Sequence, residues 1–578
     1  MPTSREGSGS ASQEGRYRPS ALPFELAQHV QTYLEEGLFT QAFNFLISIT
    51  GNSATDRLGP VPTPPASHLA LAATVAIHPH TTTRTTEREK WNQANAALRL
   101  LKLVNTLVGP IYANFSTAFS FRKFDLRFSR RSDTRGDDDD EGRENETGFG
   151  DDDLNTKYAR SKSLWTRAED FWQLVGWAFN CACLPGMHAA RWSYYRLLLE
   201  FLIGVLELDW KLRTSGDDPS PEESLLWQYI ELSLGGHARQ RRILRAVFAD
   251  GSARSLGEFR EIFTNELKEP EQEDITKKLE KQEHVDIDQD VYGDYLGQDD
   301  DDVSDGAGDN TDAMSLGSGR PTKRLRTRTR TPSRGITPRS SNSSLRSTYT
   351  DGEGETASFS SAPTLGDHSS LSLRLRLLRL LTCVSSHETL TSTSPTTFPD
   401  LEELFILFVE FIRPLSLPLF AQIVLPAPSS PFDPTTLTNL CEAVLQRTLE
   451  QSAPSRRSMV LLSQEKLEEE YLPFAASKNS IDANARVSIL LESLTCTLAS
   501  VGVLKKNDLL VAATGEGIDR RISKVADLAE KKGSKKGRKR QGEEAVAWEW
   551  LVESGERLAK IVDGLEEKTG TDKTKLKG

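Results

Sequence analysis

Residues 163–210 form the most tryptophan-rich stretch of the chain and read SLWTRAEDFWQLVGWAFNCACLPGMHAARWSYYRLLLEFLIGVLELDW. The break at Leu184-Pro185-Gly186 separates two apolar stretches, which predicts an antiparallel pair of helices at about 163–183 and 188–213. Six of the nine tryptophans of the chain lie between positions 165 and 227. Such a density of large aromatic side chains predicts that the best-packed core lies here.

Helical periodicity continues on both sides of this stretch, while strand-like alternation is not sustained anywhere. Further helices are predicted at 23–49 with a break at Gly37, and at about 86–108, 221–233, 237–249, 255–268, 371–412, 436–451, 484–504 and 543–566. We therefore expect an all-α fold, an irregular array of helical hairpins of the solenoid-like or bundle kind, in two blocks with long disordered charged insertions.

The composition indicates that part of the 578 residues lies outside any core. Hydrophobic residues are 37% and charged residues 27% of the chain, and segments with few apolar groups cannot offset the entropy of ordering. The predicted organisation is a disordered amino terminus at 1–20, a helical domain at 21–268 with a disordered acidic insertion at 128–160, a disordered linker at 269–369 that is first acidic and then basic, a second helical block at 370–504, a basic linker at 505–542, an amphipathic helix at 543–566 and a polar tail at 567–578.

The distribution of cysteines and of charge favours a reducing compartment and no membrane. The five cysteines are few, odd in number and set in apolar helical contexts, as expected of reduced thiols in the nucleus or cytosol. Residues 1–18 have no apolar core of the kind that a secretory signal requires. The longest apolar helix, at 194–210, carries four charged residues, so we interpret it as a buried helix and not a membrane span.

Two basic runs in polar sequence predict residence in the nucleus, with the cytoplasm as the second choice. The residues of these candidate nuclear localisation signals are Lys323, Arg324, Arg326, Lys535, Lys536, Arg538, Lys539 and Arg540. Thr331 and Thr337 each precede a proline, and Thr331-Pro332-Ser333-Arg334 resembles a cyclin-dependent kinase consensus. Phosphate there would reduce the local positive charge by about 1.5 to 2 units per site; the alternative is a spacer with incidental Thr-Pro pairs.

The predicted helix at 237–249 has a basic face that is a candidate polyanion-binding surface. Its cations are Arg239, Arg241, Arg242 and Arg245. Such a face can neutralise nucleic-acid phosphates and release their counterions. A solvated face, or a contact with the chain's own acidic segment at 269–302, is the favoured alternative.

Residues 33–42, YLEEGLFTQA, resemble the LisH dimerisation motif in the pair Tyr33-Leu34, in Phe39 six positions after Tyr33 and in Ala42 nine positions after it. This resemblance implies self-association through residues 23–49. The spacing Gly-x-Phe-x-x-Ala is also similar to the start of the second helix of a tetratricopeptide repeat, and a generic helical hairpin is the third and favoured interpretation.

The sequence predicts no catalytic, cofactor or metal site. Neither a Gly-x-Ser-x-Gly elbow nor a phosphate-binding loop is found in it. Cys181 and Cys183 with His188 lack the second ligand pair that structural zinc requires. The acidic residues from Asp286 resemble the start of a calcium loop, but Val291 stands where that loop needs glycine.

These patterns favour a non-enzymatic nuclear interaction scaffold, a subunit of a chromosome- or chromatin-associated complex whose disordered linkers are regulated by phosphorylation. Its partners are expected to be other proteins, with weak nucleic-acid contact. The alternative is a direct DNA- or RNA-binding protein that uses the basic runs and the helix at 237–249.

Overall fold

The computed structural model describes residues 18–53, 60–121, 154–215, 219–270, 365–393, 397–427, 430, 432–450, 461–531 and 538–565. These residues are predominantly helical, which confirms the all-α class. Within them the only sheet is one parallel pair of short strands, β1 (Pro19–Ala21) and β2 (Val61–Thr63), with Pro19 opposite Val61. Of the segments predicted to be disordered, 1–20, 128–160 and 269–369, residues 1–17, 128–153 and 271–364 lie outside the described residues. The prediction is wrong at two of its ends, because residues 19–20 belong to β1 and the buried Leu365 precedes a helix that begins at His368.

The helices fall on both sides of residues 271–364. Those before it are α1 (Phe24–Glu35), α2 (Phe39–Ser53), α3 (Ala66–Ile77), α4 (Arg88–Leu107), α5 (Phe115–Ala118), α6 (Leu164–Arg167), α7 (Phe171–Cys183), α8 (Met187–Thr214), α9 (Leu225–Glu231), α10 (Arg239–Val247) and α11 (Ala253–Glu258). Those after it are α12 (His368–Ser385), α13 (Glu388–Thr393), α14 (Leu401–Ile412), α15 (Leu417–Val424), α16 (Pro434–Leu445), α17 (Gln464–Lys466), α18 (Ile481–Ser500), α19 (Asp508–Lys531) and α20 (Arg538–Asp563).

The helix pair predicted from the tryptophan-rich stretch is confirmed as α7 and α8, which pack against each other. Gly186 turns the chain between them with φ +70°, in a region that other residues rarely adopt. The predicted first helix is nevertheless divided, because Asp170 has extended backbone and its side chain accepts a hydrogen bond from the amide of Gln173. Asp170 thereby caps α7 and leaves the short helix α6 before it.

The prediction of a disordered acidic insertion at 128–160 extends too far toward the carboxy terminus, because residues 154–160 are ordered. Leu154 and Tyr158 are buried, and the Tyr158 ring lies 5.3 Å from that of Phe39 and 4.7 Å from that of His78. Two buried side chains four residues apart therefore fix this end of the insertion to the core. The sequence analysis did not recognise them because the residues around them are polar.

The two predicted helical blocks belong to one compact unit, which comprises residues 1–271 and 361–578. Helix α12 packs against α8 and α10. Its Arg376 forms a two-pronged ion pair with Glu207 of α8, at 2.9 and 2.6 Å. Its Arg374 is fully buried over the Phe179 ring at 4.0 Å and donates to the carbonyl oxygen of Val247.

The prediction of a basic linker at 505–542 is wrong for residues 508–531, because they form helix α19. The last helix begins at Arg538, five residues before the predicted start at 543. The buried positions of α19 repeat with helical spacing but are only partly apolar: Leu510, Thr514, Gly517, Arg521 and Val525. A hydrophobic-periodicity argument therefore misses this helix. Gly517 is required there, because a Cβ would lie 1.8 Å from the carbonyl oxygen of Leu472.

A second fully buried arginine, Arg191 of α8, organises the amino-terminal core. Its Nε donates to Glu266 at 2.7 Å, and its remaining nitrogens donate to Thr82 and to the carbonyl oxygen of Ile77. Glu266 also accepts from the Tyr195 hydroxyl at 2.6 Å and from two backbone amides. The two charges are therefore paired with each other and with further hydrogen bonds, as a buried ion pair requires.

The buried His68 on α3 is expected to make the folded protein less stable in acid. Burial lowers the pKa of His68 from 6.5 to about 4. Between pH 6.5 and pH 4, His68 is therefore protonated in the unfolded chain but neutral in the folded chain. The free energy of unfolding consequently falls by about 1.4 kcal/mol for each pH unit in this interval. Between pH 7 and pH 5, urea denaturation of His68→Leu is expected to lose about 2 kcal/mol less than that of the wild type.

The matched control for this measurement is His29→Leu, since the His29 side chain is exposed. That variant is expected to lose as much stability as the wild type over the same pH interval. An equal loss in His68→Leu and in the wild type would contradict the prediction.

Candidate functional site

An open groove runs between α10 and α14. It consists of two adjoining hollows of about 590 and 420 Å³, which share Arg241 of α10 and Glu410 of α14. Helix α14 and the turn that follows it line the groove with one face, since the contributing positions repeat at i, i+3, i+4, i+7, i+8 and i+11: Glu403, Ile406, Leu407, Glu410, Phe411 and Pro414. At 1.5 Å per residue this face is about 16 Å long, or three helical turns.

The floor of the groove is apolar. In the larger hollow, the rings of Phe248 and Phe411 stack with centroids 5.4 Å apart and an interplanar angle of 18°. In the smaller hollow, Ile406 is 40% exposed beside the half-buried Leu407. Both hollows therefore offer apolar surface that a partner side chain could cover.

Of the four arginines predicted to bind polyanions, Arg242 is buried and serves the fold. It donates to Asp170, which also caps α7 and accepts from the amide of Leu234. Its guanidinium lies 5.6 Å from the centroid of the Phe259 ring. Helix α10 is thus fixed to α7 through this pair, and Arg242 does not line the groove.

Arg241 and Arg245 do line the groove, but the side chain of Arg245 is held more firmly by its ion pair than that of Arg241. Arg245 holds Glu258 with two hydrogen bonds, at 2.6 and 2.8 Å. Arg241 makes one contact of 3.2 Å with Glu410, and these side chains are 55% and 48% exposed. Arg239 is not among the lining residues, and its Nε is buried without a hydrogen-bond partner in the described part of the chain. The acidic segment at 269–302, which the sequence offered as an intramolecular partner, lies outside the described residues except for 269–270.

Two charged residues at opposite ends of the groove were missed by the sequence analysis. Arg254 lines the larger hollow and Glu403 the smaller one. Both side chains are exposed, and neither has an ion pair or side-chain hydrogen bond with any residue that the structure describes. The other acids of the larger hollow each face a cation: Glu258 is paired with Arg245 and Glu410 with Arg241, while burial lowers the pKa of Arg374 and Asp250 opposes this shift by favouring the charged form. The free charges therefore leave the groove with a basic end and an acidic end.

The residues that resemble a dimerisation motif are largely buried within the chain. Phe39, Ala42 and Phe43 are at most 1% exposed, and α2 packs against α4. Tyr33 is half-buried, with its ring 4.6 Å from that of His29. Self-association through 23–49 stays a prediction, and it would have to use other side chains of this hairpin, such as the exposed Phe24 and Leu38.

The predicted nuclear localisation residues fall mainly outside the described part of the chain. This applies to Lys323, Arg324, Arg326, Lys535 and Lys536 and to the predicted phosphorylation sites Thr331 and Thr337. Arg538, Lys539 and Arg540 lie in the first turn of α20.

The thiols show no sign of activation. All five cysteines are free, and burial raises the pKa of each thiol, that of Cys441 to about 12. A raised pKa disfavours the thiolate, which is the nucleophilic and metal-binding form.

Among the residues described, no three His, Cys, Asp or Glu side chains are grouped so as to hold a metal ion. No helix in the described ranges has the length and apolar character needed to cross a membrane.

Comparison of the chain with protein-family models, with curated proteins and with solved structures finds no match.

Proposed function

We propose that this chain is a non-enzymatic interaction scaffold of the nucleus, a subunit of a chromosome- or chromatin-associated complex, which binds a segment of a partner protein in the groove between α10 and α14. The observation that carries the proposal is the apolar floor of Phe248, Phe411 and Ile406 in an open groove three helical turns long. Grooves of this kind between helices suit the apolar face of a partner helix.

The environment of α10 favours a protein partner over a nucleic acid. A phosphate that engaged Arg242 would have to displace the buried Asp170, and one that engaged Arg245 would have to displace the part-exposed Glu258. Displacing Asp170 would leave its buried carboxylate without a counter-charge, and breaking a buried ion pair in this way costs about 3–5 kcal/mol. Among the α10 arginines this leaves Arg241, whose pair with Glu410 is half-exposed, so nucleic-acid binding would depend mainly on the basic runs at 323–330 and 531–540.

The binding part of the proposal is tested by affinity purification with mass spectrometry, after nuclease treatment, on full-length wild type and on Ile406→Asp. A charge on the groove floor is expected to lower the recovery of the groove-bound partner about tenfold, since losing an apolar anchor costs about 1–3 kcal/mol. The matched control is Val546→Asp on α20, because Val546 is 43% exposed and lies outside the groove.

Equal recovery of all partners by the two variants and the wild type would contradict binding in the groove. Loss of every partner on nuclease treatment would instead favour the nucleic-acid alternative.

The nuclear part is tested by replacing Lys323, Arg324, Arg326, Lys535, Lys536, Arg538, Lys539 and Arg540 with glutamine in a tagged full-length chain. Glutamine is a good helix former, so the first turn of α20 should persist. We expect the tagged protein to move from the nucleus to the cytoplasm in fluorescence images. A cytoplasmic wild type, or an unchanged nuclear signal in the variant, would contradict import through these runs.

A further inference from the structure

The groove between α10 and α14 has opposite free charges at its two ends, and this polarity specifies the chemistry of its partner. We propose that it binds an amphipathic helix that carries carboxylates in its first turn, apolar side chains in its middle and cations in its last turn. This inference rests on the proposed function and adds the charge pattern and the direction of the bound helix.

The length and the floor of the groove set the size of the ligand. The lining face of α14 and of the turn after it runs from Glu403 to Pro414, about 16 Å, which is the length of three helical turns. A ligand helix presents apolar side chains to one side at i, i+3 or i+4, and i+7. One such side chain meets the stacked rings of Phe248 and Phe411, and another meets Ile406 and Leu407.

The ends of the groove set the charges of the ligand. Arg254 can pair with a carboxylate of the ligand and Glu403 with a cation, since both are exposed and without partners among the described residues. Between them, the Arg241–Glu410 pair is half-exposed, and exposed pairs of this kind contribute at most about 1 kcal/mol. It can therefore exchange partners with ligand side chains at little cost.

The direction of the bound helix follows from the helix dipole. Carboxylates are favourable in the first turn of a helix and cations in its last turn. A helix that places its carboxylates at Arg254 and its cations at Glu403 starts near Pro414 and ends near Glu403. It runs antiparallel to α14, which proceeds from Leu401 to Ile412.

The test uses two fluorescein-labelled 15-residue peptides of identical composition, with Leu at i, i+3 and i+7 in the middle and Ala and Gln elsewhere. The forward peptide has two Glu in the first turn and two Lys in the last, and the reversed peptide has these charges exchanged. Fluorescence anisotropy with the full-length wild type is expected to give about tenfold tighter binding of the forward peptide.

The charge-exchanged protein Arg254→Glu/Glu403→Lys is expected to invert this preference, because both end contacts change sign. The two substituted residues are exposed, so the variant should fold, which circular dichroism checks. The matched control is Arg88→Glu/Glu36→Lys, which makes the same exchange at two exposed residues outside the groove. This control should keep the wild-type preference. Since the peptides are the same throughout, differences in their helicity do not affect the comparison between proteins.

Equal binding of the two peptides by the wild type, or a preference that Arg254→Glu/Glu403→Lys does not change, would overturn the proposal. Failure of both peptides to bind would also overturn it. The proposed function would still stand in these cases if Ile406→Asp lost its partner in the purification, and it would fail separately if that variant lost nothing.

Discussion

Replacement of Glu266 by alanine is expected to lower the free energy of unfolding by about 3–5 kcal/mol, because it leaves the guanidinium of Arg191 buried without its counter-charge. Both side chains are fully buried. The substitution also removes the acceptor of the Tyr195 hydroxyl and of the amides of Ile262 and Phe263. Each unsatisfied buried donor adds to the loss. Chemical denaturation of wild type and variant measures the effect.

The control for this prediction is Glu261→Ala, five residues earlier and exposed. It should change the free energy of unfolding by no more than about 0.5 kcal/mol, as is usual for surface substitutions. A loss below about 1 kcal/mol in Glu266→Ala would show that the Arg191–Glu266 network does not stabilise the fold.

A chain that ends at Lys531, and so lacks α20, is expected not to fold cooperatively. Helix α20 packs against α18 and buries Leu551, Leu558 and Val562. Each such side chain contributes about 1.5–3 kcal/mol, so the loss is comparable to the total stability of a typical domain, about 5–15 kcal/mol. The truncation also deprives Glu492, only 6% exposed, of its two hydrogen bonds from Arg557. Thermal unfolding followed by circular dichroism checks the prediction.

The matched truncation ends at Leu565 and retains α20 entire. It should unfold at the same temperature as the full chain to within a few degrees. If the chain ending at Lys531 behaved in the same way, α20 would be dispensable. The expected result also means that the basic run at 531–540 has to be tested by substitution, since truncation before α20 would remove part of the core.

The sequence predicted most of the long helices whose buried positions are apolar, as in α7 and α8. It missed the apolar α15, which is only eight residues long and has Pro418 in its first turn. It missed α19, whose inward positions include Thr514, Gly517 and Arg521, because helical periodicity is recognised by hydrophobicity alone. The class of the fold could therefore be predicted, and the number of helices in its carboxy-terminal part could not.

The candidate site could be predicted only in part, because its residues meet across the long segment that separates α10 from α14. Arg241 was identified by its charge, and its partner Glu410 lies 169 positions further along the chain. Arg242 was identified in the same way, but its burial depends on Asp170, 72 positions earlier. No local pattern distinguishes an arginine that faces a groove from one that is held in the core.

The position of Arg374 in the core also constrains how the protein is made. This residue donates to the carbonyl oxygens of Val247 and Phe179, but the ribosome adds it only after residues 271–364. At about 5–20 residues per second, translation of that segment takes roughly 5–20 s. During this interval α8 and α10 lack the helix that covers them in the finished protein. We therefore expect the nascent amino-terminal half to expose for seconds the surface that α12 covers, which favours aggregation or chaperone binding in that interval.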